Sequence, residues 1–438
     1  MANKETGIEN NEKQAKLLTV PDTSLPAYYV EEKMQEYFKT LSQFGPNLEM
    51  SHIGIGQGFL SVVARIIPDW TPSDPNLPKS FIAKVSSLES SKQLMEDDEM
   101  AKAIKRTSIN VQEILQQMEK NRAQAHNTEV AFYRLAKKYE LNLKMPEIYF
   151  AQELSPISDC GLLFMEDAGE TSYVIPPYEK TSVSEVKQVL QEIAKFHSYS
   201  LKHPEVIKMK GFTLSKMYNR MNLNRMLDVF VKSVPDRSDP NVDSLCENIS
   251  QHSQQIINDD FLNTLNETNG MPPVLVHGDL WSFNILWYSE KNEKKIRFII
   301  DWQSASNEKR KPNPVFPFLL QLVHCGCIVE DIVRYIACAM SVTERRQFFD
   351  QLLQYYYEEL EKSFGDRLSF TCEQLKQSAI RMIPLATSLV LNLFGALSTV
   401  QIQKKCPDRE KELTDYVRKN ALGLLEDMWH YFQINQKL

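Results

Sequence analysis

Alternating apolar and polar residues mark the first part of the chain as rich in strands. The alternation runs from Met50 to Ile67 with glycines at its centre, which indicates two strands and a glycine-containing connection. Shorter apolar runs predict further strands at Ser80–Val85, Glu147–Gln152 and Gly161–Met165. The segment Asp69–Lys79 is rich in proline and aspartate, so we expect a turn between the second and third strands.

One amphipathic helix stands out within this strand-rich part. Asn127–Glu140 carries apolar residues at helical spacing, and Asn127 or Thr128 is its expected N-terminal cap. The preceding segment Leu88–Lys120 is highly charged, and we interpret it as an exposed helical insertion.

Helical patterns dominate after Asp167. They include Val183–Leu201 and several stretches up to Asn266. A small cluster of strands is predicted at Val274–Val276, Ile285–Trp287 and Arg297–Ile300. The most apolar stretch, residues 382–400, is interrupted by Pro384 and by several polar residues, so it indicates a buried helix and not a membrane span.

This order of elements predicts an α+β protein with two lobes. A chain of 438 residues is too long for one compact core. We expect a flexible tail at residues 1–27 and a strand-rich N-terminal lobe at residues 28–167, which includes the charged insertion 88–120. A mainly helical C-terminal lobe is expected at residues 168–438.

Composition and charge narrow the classes of partner. The formal net charge is −7, which disfavours a broad nucleic-acid surface. The first residues are polar and lack the apolar core of a signal peptide, so we expect a cytoplasmic protein without membrane partners. The seven scattered cysteines form no pair of CxxC motifs, which argues against a disulfide framework or a structural zinc site. The oligomeric state stays open.

A polar loop between two apolar runs carries the most suggestive chemistry. His277-Gly-Asp279 follows one apolar run and Asn284 precedes the next, while Asp301 ends a third. Carboxylate and carboxamide oxygens are the ligands that Mg²⁺ prefers, so Asn284 and Asp301 are candidate metal ligands. Asp279 is then free to accept a proton from an attacking hydroxyl. Each residue alone is more typical of an ordinary turn, but the three together indicate phosphoryl transfer.

The first part of the chain supplies the other groups that phosphoryl transfer requires. Gly54, Gly56 and Gly58 lie between two predicted strands, where glycine lets the backbone approach phosphates, although a simple hairpin would look similar. Lys84 lies inside an apolar strand, and a buried lysine normally needs a partner. Glu129 on the amphipathic helix is the natural candidate, which leaves Lys84 able to contact the phosphates of ATP.

Together these residues resemble the ecdysteroid-kinase-like, or CHK kinase-like, family, which is related to choline kinases and aminoglycoside phosphotransferases. The resemblance rests on the glycine loop, Lys84, Glu129, the block HGDLWSFNILW from His277 and the sequence IDWQ that contains Asp301. It runs from about residue 28 to about residue 430, and the HGDLW block is its most specific part.

The resemblance implies a bilobal protein-kinase-like fold with ATP and Mg²⁺ as cofactors. ATP would lie between the lobes, with Met165 and Glu166 of the LFMED segment beside adenine. Asp279 would match the catalytic base, and Asn284 and Asp301 the Mg²⁺ ligands. Lys84 and Glu129 would match the ion pair that orders the phosphates. His277 would brace the loop without acting as an acid or a base.

Two positions depart from the pattern of the family. Relatives commonly carry asparagine where this chain has Phe283, and by a rough alignment Pro317 replaces an acidic residue that braces the active-site loops. The sequence therefore predicts an ATP- and Mg²⁺-dependent kinase for a small-molecule hydroxyl acceptor, such as a steroid. A catalytically weak pseudokinase is the alternative, and a protein kinase is disfavoured because no HRD, DFG or APE motif is present. His197 lies on an apolar helical stripe and is expected to be a core residue.

Overall fold

The described part of the chain alternates strands and helices in its first half and is mainly helical afterwards. The computed structural model describes residues 18–54, 60–89, 91–92, 111–155, 158, 160–208, 227–228, 230–232, 234, 237–302 and 324–437. The first half contains α1 (Ala27–Phe38), β1 (Glu49–Ile53), β2 (Ser61–Ile67), β3 (Phe81–Ser86), α2 (Val111–Lys138), β4 (Ile148–Gln152) and β5 (Leu162–Glu166).

The second half begins with α3 (Val183–Lys202). It continues with α4 (Pro240–Gln251), α5 (Ser253–Ile256), α6 (Asp259–Thr268), β6 (Val274–Val276), β7 (Ile285–Glu290), β8 (Glu293–Ile299) and β9 (His324–Gly326). The last helices are α7 (Val329–Ala339), α8 (Val342–Phe364), α9 (Cys372–Val390), α10 (Ala396–Lys405) and α11 (Glu410–Asn435). This layout agrees with the predicted α+β class and with strands followed by helices.

A five-stranded antiparallel sheet organises the first half. Its strand order is β1-β2-β3-β5-β4, so β3 occupies the centre. Because successive side chains of a strand point to opposite faces, Phe81, Ala83 and Val85 enter one apolar cluster, whereas Ile82 enters the other. Lys84 shares the face of Ile82, which is the face that looks towards the second half of the chain.

The helix that follows β3 is longer than the sequence pattern predicted. It spans Val111–Lys138, so it starts 16 residues before the predicted start at Asn127 and absorbs part of the predicted insertion; residues 93–110 lie outside the described residues. The expected cap is therefore wrong, because Asn127 lies inside the helix. Its side chain instead donates to the carbonyl of Leu154 at 2.9 Å and accepts the Leu154 amide at 2.8 Å, which ties α2 to the end of β4.

The prediction of a flexible tail over residues 1–27 is wrong for its last part, which packs against the sheet. Val20 is fully buried and Leu25 is 5% exposed, and both belong to the outer apolar cluster of the sheet. The Val20 amide donates to the Leu25 carbonyl at 2.8 Å, so this segment folds back on itself before α1 begins. Residues 1–17 lie outside the described residues.

The larger apolar core joins the two halves of the chain. It extends from Ile82 and Met165 on the inner face of the sheet, through Val130 of α2, to Val186 and Ile193 of α3. The division between residues 167 and 168 therefore stays a prediction, because packing is continuous across it. The helix α3 starts as predicted, with Ser182 and Glu185 capping each other's backbone amides.

The apolar stretch at residues 382–400 is buried, but it is not one helix. It contains the end of α9, a 3₁₀ turn at Leu391–Phe394 and the start of α10. Gly395, just before α10, is a natural place for the interruption because glycine is a poor helix former. Within the described ranges, no helix combines the length and the apolar character that crossing a bilayer requires.

Candidate active site

A cavity of about 270 Å³ lies between the inner face of the sheet and the β7–β8 hairpin. Most of the residues that the sequence singled out for the cofactor and the metal line it: Gly54, Lys84, Glu129, Met165, Glu166, Asn284 and Asp301. Gly56 and Gly58 lie outside the described residues. Apolar side chains complete the wall, with Ile82 on the sheet side and Leu286 and Phe298 on the hairpin side.

Lys84 forms the ion pair with Glu129 that the sequence predicted. Its ammonium lies 3.0 and 2.8 Å from the two carboxylate oxygens of Glu129, and both residues are buried. The same ammonium lies 2.6 Å from Asp301 Oδ1. Burial by itself lowers the pKa of Lys84, but the charges of Asp301 and Glu129 outweigh it and raise the pKa above its ordinary value. Lys84 is therefore a fixed positive charge in the cavity wall.

The end of β5 forms the rear edge of the cavity. In the sheet register Met165 pairs with Ile82 and Glu166 pairs with Phe81, so the pairing of β3 with β5 sets the positions of both residues. Asp167 comes next and accepts hydrogen bonds from Arg65 Nη2 at 3.0 Å and from the Ser80 hydroxyl at 2.7 Å. This segment is the one that the family resemblance would place beside adenine.

The loop after β6 brings Asp279 and Asn284 together. Asn284 Nδ2 donates to the Asp279 carbonyl at 2.9 Å and lies 3.3 Å from Asp279 Oδ2, and a 3₁₀ turn at Ser282–Asn284 sets this spacing. Gly278 has a φ of 73°, a left-handed conformation that a side chain would strain. Burial raises the pKa of Asp279 above its ordinary value, although Arg334 opposes this shift.

Arg334 is a site residue that the sequence analysis missed. Its guanidinium donates to the Gly278 carbonyl and to Asp279 Oδ1, so it holds the loop and its carboxylate at once. Arg334 lies on α7, three residues after Asp331, in a helix that is otherwise mostly apolar. Two opposite charges on one face of an otherwise apolar helix could have indicated that these residues have buried partners, because buried charges need them.

His277 braces the loop, as expected from the resemblance. One of its ring nitrogens, Nε2, lies 3.0 Å from the Ile300 carbonyl, and the other, Nδ1, accepts the Asp279 amide at 3.2 Å. Both nitrogens therefore contact the backbone, one at the residue before Asp301 and the other within the loop itself. Asp301 itself has a φ of 70°, a left-handed backbone conformation that residues other than glycine seldom adopt.

Asp331 provides an acidic brace for this loop. Its carboxylate accepts the amide of His277 at 2.7 Å and the amide of Gly278 at 2.8 Å. Pro317 lies outside the described residues, so the prediction for that position stays a prediction. Asp331 lies 54 residues after His277, a separation that sequence patterns do not connect.

His197 extends this brace into the core. It is fully buried, with Nδ1 2.6 Å from the Tyr356 hydroxyl and Nε2 3.3 Å from Asp331. The prediction of a satisfied core histidine is confirmed. Burial would raise the pKa of Asp331, but the hydrogen bond from His197, the two nearby histidines and the Gly278 amide together lower it.

An aromatic stack joins α2 to the same loop. Trp302, directly after Asp301, lies flat against Phe132 at 4.2 Å between ring centroids and also contacts His277 at 4.5 Å. Phe196 of α3 meets the edge of Trp302 at 4.9 Å. Since Phe132 is three residues after Glu129, the stack fixes the helix that carries the lysine partner relative to the loop that carries Asp279.

Phe283 has a structural explanation that the sequence did not offer. It lines the cavity and meets Trp281 edge to face at 4.9 Å. Only 8% of it is exposed, so it contributes an apolar part of the cavity wall next to Asn284. Asn284 nevertheless keeps its contacts with Asp279, which means that Phe283 does not displace the candidate metal ligand.

Asn284 and Asp301 fit a hard cation that shares its ligands with phosphates. Both line the cavity and offer carboxamide and carboxylate oxygens. No described group of three or more His, Cys, Asp or Glu side chains is arranged to hold a metal by itself. Mg²⁺ usually takes only one or two protein carboxylates and completes its shell with substrate phosphates and water, so this donor set is compatible with it.

Comparison with known proteins identifies relatives along most of the chain. A family model described as DUF1679, Uncharacterized oxidoreductase dhs-27, matches residues 22–311 and 319–436. The Caenorhabditis elegans protein of that name is 23% identical over 337 residues, which cover 75% of this chain but only 37% of the relative. A second C. elegans protein, Uncharacterized kinase-like protein D1044.1, is 26% identical over 297 residues, or 65% of this chain and 70% of the relative.

Solved structures with an overlapping chain path are more distant. The ethanolamine kinase of Plasmodium vivax aligns over 94% of this chain and 93% of its own, with 13% sequence identity and a TM-score of 0.42.

Proposed function

The chain belongs to the DUF1679 family, and with this membership and the cleft geometry as premises we propose that it is a small-molecule kinase. The proposed reaction transfers the γ-phosphoryl group of ATP to an alcohol hydroxyl. The relative named as kinase-like supports the proposal, as does the resemblance of the HGDLWSFNILW block to CHK kinase-like sequences.

The position of Lys84 is the observation that carries the proposal. One ammonium contacts Glu129 on α2 and Asp301 after β8, at the wall of a cavity that also contains Asn284. A buried lysine beside two carboxylates is not needed to stabilise a fold, since apolar residues of similar volume often do so equally well. A positive charge held at this place suits the phosphates of a nucleotide.

Each of the candidate residues has its own role in the proposed phosphoryl transfer. Lys84 and the glycine loop bind the phosphates, while Met165 and Glu166 bound the adenine end. Asn284 and Asp301 hold Mg²⁺, which when bound neutralises charge on the phosphates. Asp279 orients the acceptor hydroxyl and takes its proton, and Arg334 and Asn284 keep its carboxylate in place.

The raised pKa of Asp279 suits the role of a base. Burial moves its pKa upwards from its ordinary value, which makes its carboxylate a better proton acceptor. The charge of Arg334 opposes this rise and favours the ionised carboxylate.

The acceptor is proposed as a class and not as one compound. The resemblance favours a steroid or another lipophilic hydroxyl compound. Fold relatives in the wider family suggest cationic acceptors as the competing class. A screen of metabolite extracts with γ-labelled ATP, followed by mass spectrometry of labelled products, distinguishes the two classes.

An oxidoreductase activity is not favoured by the described cleft. The word oxidoreductase comes from the name of a relative of which this chain covers 37%. A dinucleotide site of the Rossmann type needs parallel strands that alternate with helices. In the described ranges every strand pair of the three sheets is antiparallel.

A nucleotide-binding pseudokinase is the alternative within the same fold. The substitutions at Phe283 and Pro317 motivate it. Phe283 leaves the contact between Asn284 and Asp279 in place, and Pro317 lies outside the described residues. The test compares wild type with Asp279→Asn in the labelled-ATP screen. A labelled product that depends on Asp279 supports the kinase, whereas tight ATP binding with no labelled product and no ATP hydrolysis supports the pseudokinase.

A further inference from the structure

Arg65 is a charged residue of the cavity wall that the proposed mechanism does not use. It lies on β2 and pairs with Ile82 of β3 in the sheet register, so the two side chains stand next to each other on the inner face of the sheet. The side chain of Arg65 is 20% exposed and lines the same cavity as Lys84. Among the described residues of this wall, Arg65 and Lys84 are the two with a positive charge.

These two positive charges lie at different places along the cavity. Lys84 comes two residues after Ile82 on β3 and contacts Asp301, so it marks the end that suits phosphates. Arg65 stands instead beside Ile82, whose other neighbour in the sheet is Met165. Apolar side chains of this kind suit the flat ring of a nucleobase and not the phosphates.

Asp167 holds one edge of the Arg65 guanidinium. Its Oδ1 accepts a hydrogen bond from Nη2 at 3.0 Å, and its Oδ2 lies 2.7 Å from Nε. The Asp167 side chain is 4% exposed and also accepts hydrogen bonds from the Ser80 hydroxyl and the Gly169 amide. The protein itself therefore fixes the guanidinium, and this pairing leaves the flat faces and Nη1 of Arg65 available to the cavity.

We propose that the Arg65 guanidinium stacks on the base of the nucleotide bound in the cleft. This inference rests on the proposed function, since it names a residue for the base of the same nucleotide. A flat, delocalised cation is attracted by the face of an aromatic ring, and a guanidinium that a carboxylate already fixes loses little freedom in this contact. If Arg65 served only to neutralise Asp167, a lysine would supply the same charge.

The chain provides a matched control in Arg122 on α2. Its side chain is 16% exposed and also forms an ion pair, with Glu119, while its Nη1 donates to the Ser86 carbonyl at 2.9 Å. Arg122 is not among the residues of the cavity wall. Arg122→Lys therefore makes the same chemical change, from a flat guanidinium to a single ammonium, away from the proposed nucleotide site.

The experiment measures ADP binding by calorimetry, with and without Mg²⁺, for wild type, Arg65→Lys and Arg122→Lys. In Arg65→Lys the ammonium can still pair with Asp167, but it offers no flat face to the base. We expect this variant to bind ADP about tenfold more weakly, because a cation–π contact shielded from water is lost. Mg²⁺ should strengthen binding by the same factor as in wild type, since the phosphate end is unchanged. Arg122→Lys should bind ADP as wild type does.

The remaining outcomes separate the two proposals. If wild type binds ADP and Arg65→Lys binds it equally well, the inference about Arg65 is wrong and the kinase proposal stands. Weaker binding by Arg65→Lys together with a smaller effect of Mg²⁺ would place the disturbance at the phosphate end and overturn the contact with the base. An equal loss in Arg65→Lys and Arg122→Lys would also overturn it, because the second residue lies outside the cavity. If wild type binds no ADP under either condition, both the kinase proposal and this inference fail.

Discussion

The carboxylate of Asp331 accepts the backbone amide of His277 at 2.7 Å, and this bond ties α7 to the loop that carries Asp279. The neighbouring amide of Gly278 binds the same carboxylate at 2.8 Å. Since His197 and Tyr356 lie directly behind Asp331, the loop is anchored in the core of the helical half. The position of Asp279 therefore depends on residues that never reach the cavity.

Replacing Asp331 by alanine should destabilise the protein strongly. The substitution leaves two buried amides and His197 without their acceptor, and an unsatisfied buried polar group costs about 1–3 kcal/mol. We expect the free energy of unfolding to fall by about 3 kcal/mol or more, measured by chemical denaturation. Asp366→Ala is the control because Asp366 is exposed, and it should change stability by less than about 0.5 kcal/mol. Equal effects of the two substitutions would contradict the role of Asp331.

Acid should weaken the same brace. The folded protein holds the pKa of Asp331 below its ordinary value of 3.8, so the unfolded chain binds a proton more readily. The stabilisation is then complete above the ordinary value and is lost as the pH falls through the folded value. We expect the difference in the free energy of unfolding between wild type and Asp331→Asn to be largest at neutral pH and to become smaller below about pH 4. Denaturation curves at several pH values measure this gap, and a constant gap would exclude the linkage.

Asp279→Asn should slow phosphoryl transfer without preventing nucleotide binding. The amide cannot accept the acceptor's proton, and a general base is typically worth about 10²–10⁴-fold in rate. We expect kcat to fall by that range once an acceptor is known, while the dissociation constant for ATP stays within about threefold. Asp366→Asn serves as the control in the same assay. A fully active Asp279→Asn enzyme would remove Asp279 from the mechanism.

Asp301→Ala should instead weaken the effect of Mg²⁺ on ATP binding. The substitution removes one of the two candidate Mg²⁺ ligands and leaves Lys84 paired with Glu129 alone. We expect Mg²⁺ to strengthen ATP binding in wild type but to have little effect in Asp301→Ala, as measured by calorimetry with and without Mg²⁺. Mg²⁺ that strengthens binding equally in both proteins would show that Asp301 is not a ligand.

Phe132→Ala should destabilise the contact between α2 and the loop after β8. Phe132 is 2% exposed and stacks on Trp302, so its truncation opens a cavity in the core and costs about 3–5 kcal/mol. Leu41→Ala provides a control, because Leu41 is 94% exposed and should contribute almost nothing. Thermal unfolding of the two variants compares them directly, and a small loss for Phe132→Ala would mean that the stack is not a structural support.

The local features of the site were readable from the sequence. Apolar runs placed the strands β2, β3 and β5, and the buried position of Lys84 followed from its place inside an apolar strand. The partner Glu129 followed from the general rule that a buried lysine needs an opposite charge. The loop around His277 was readable because its polar residues and flanking apolar runs are close together in the chain.

The contacts between distant parts of the chain required the tertiary structure. Asp331 and Arg334 lie more than 50 residues after the loop that they hold, as the separations of 54 and 55 residues to His277 and Asp279 show. The start of α2 was missed because packing against the sheet overrides weak local signals of helix capping. By itself the sequence indicated which residues are candidates for the chemistry, since periodicity and residue type are local properties. Only the tertiary structure decided which residues hold these candidates in place, because burial in a shared core brings together charged residues that are far apart in the chain.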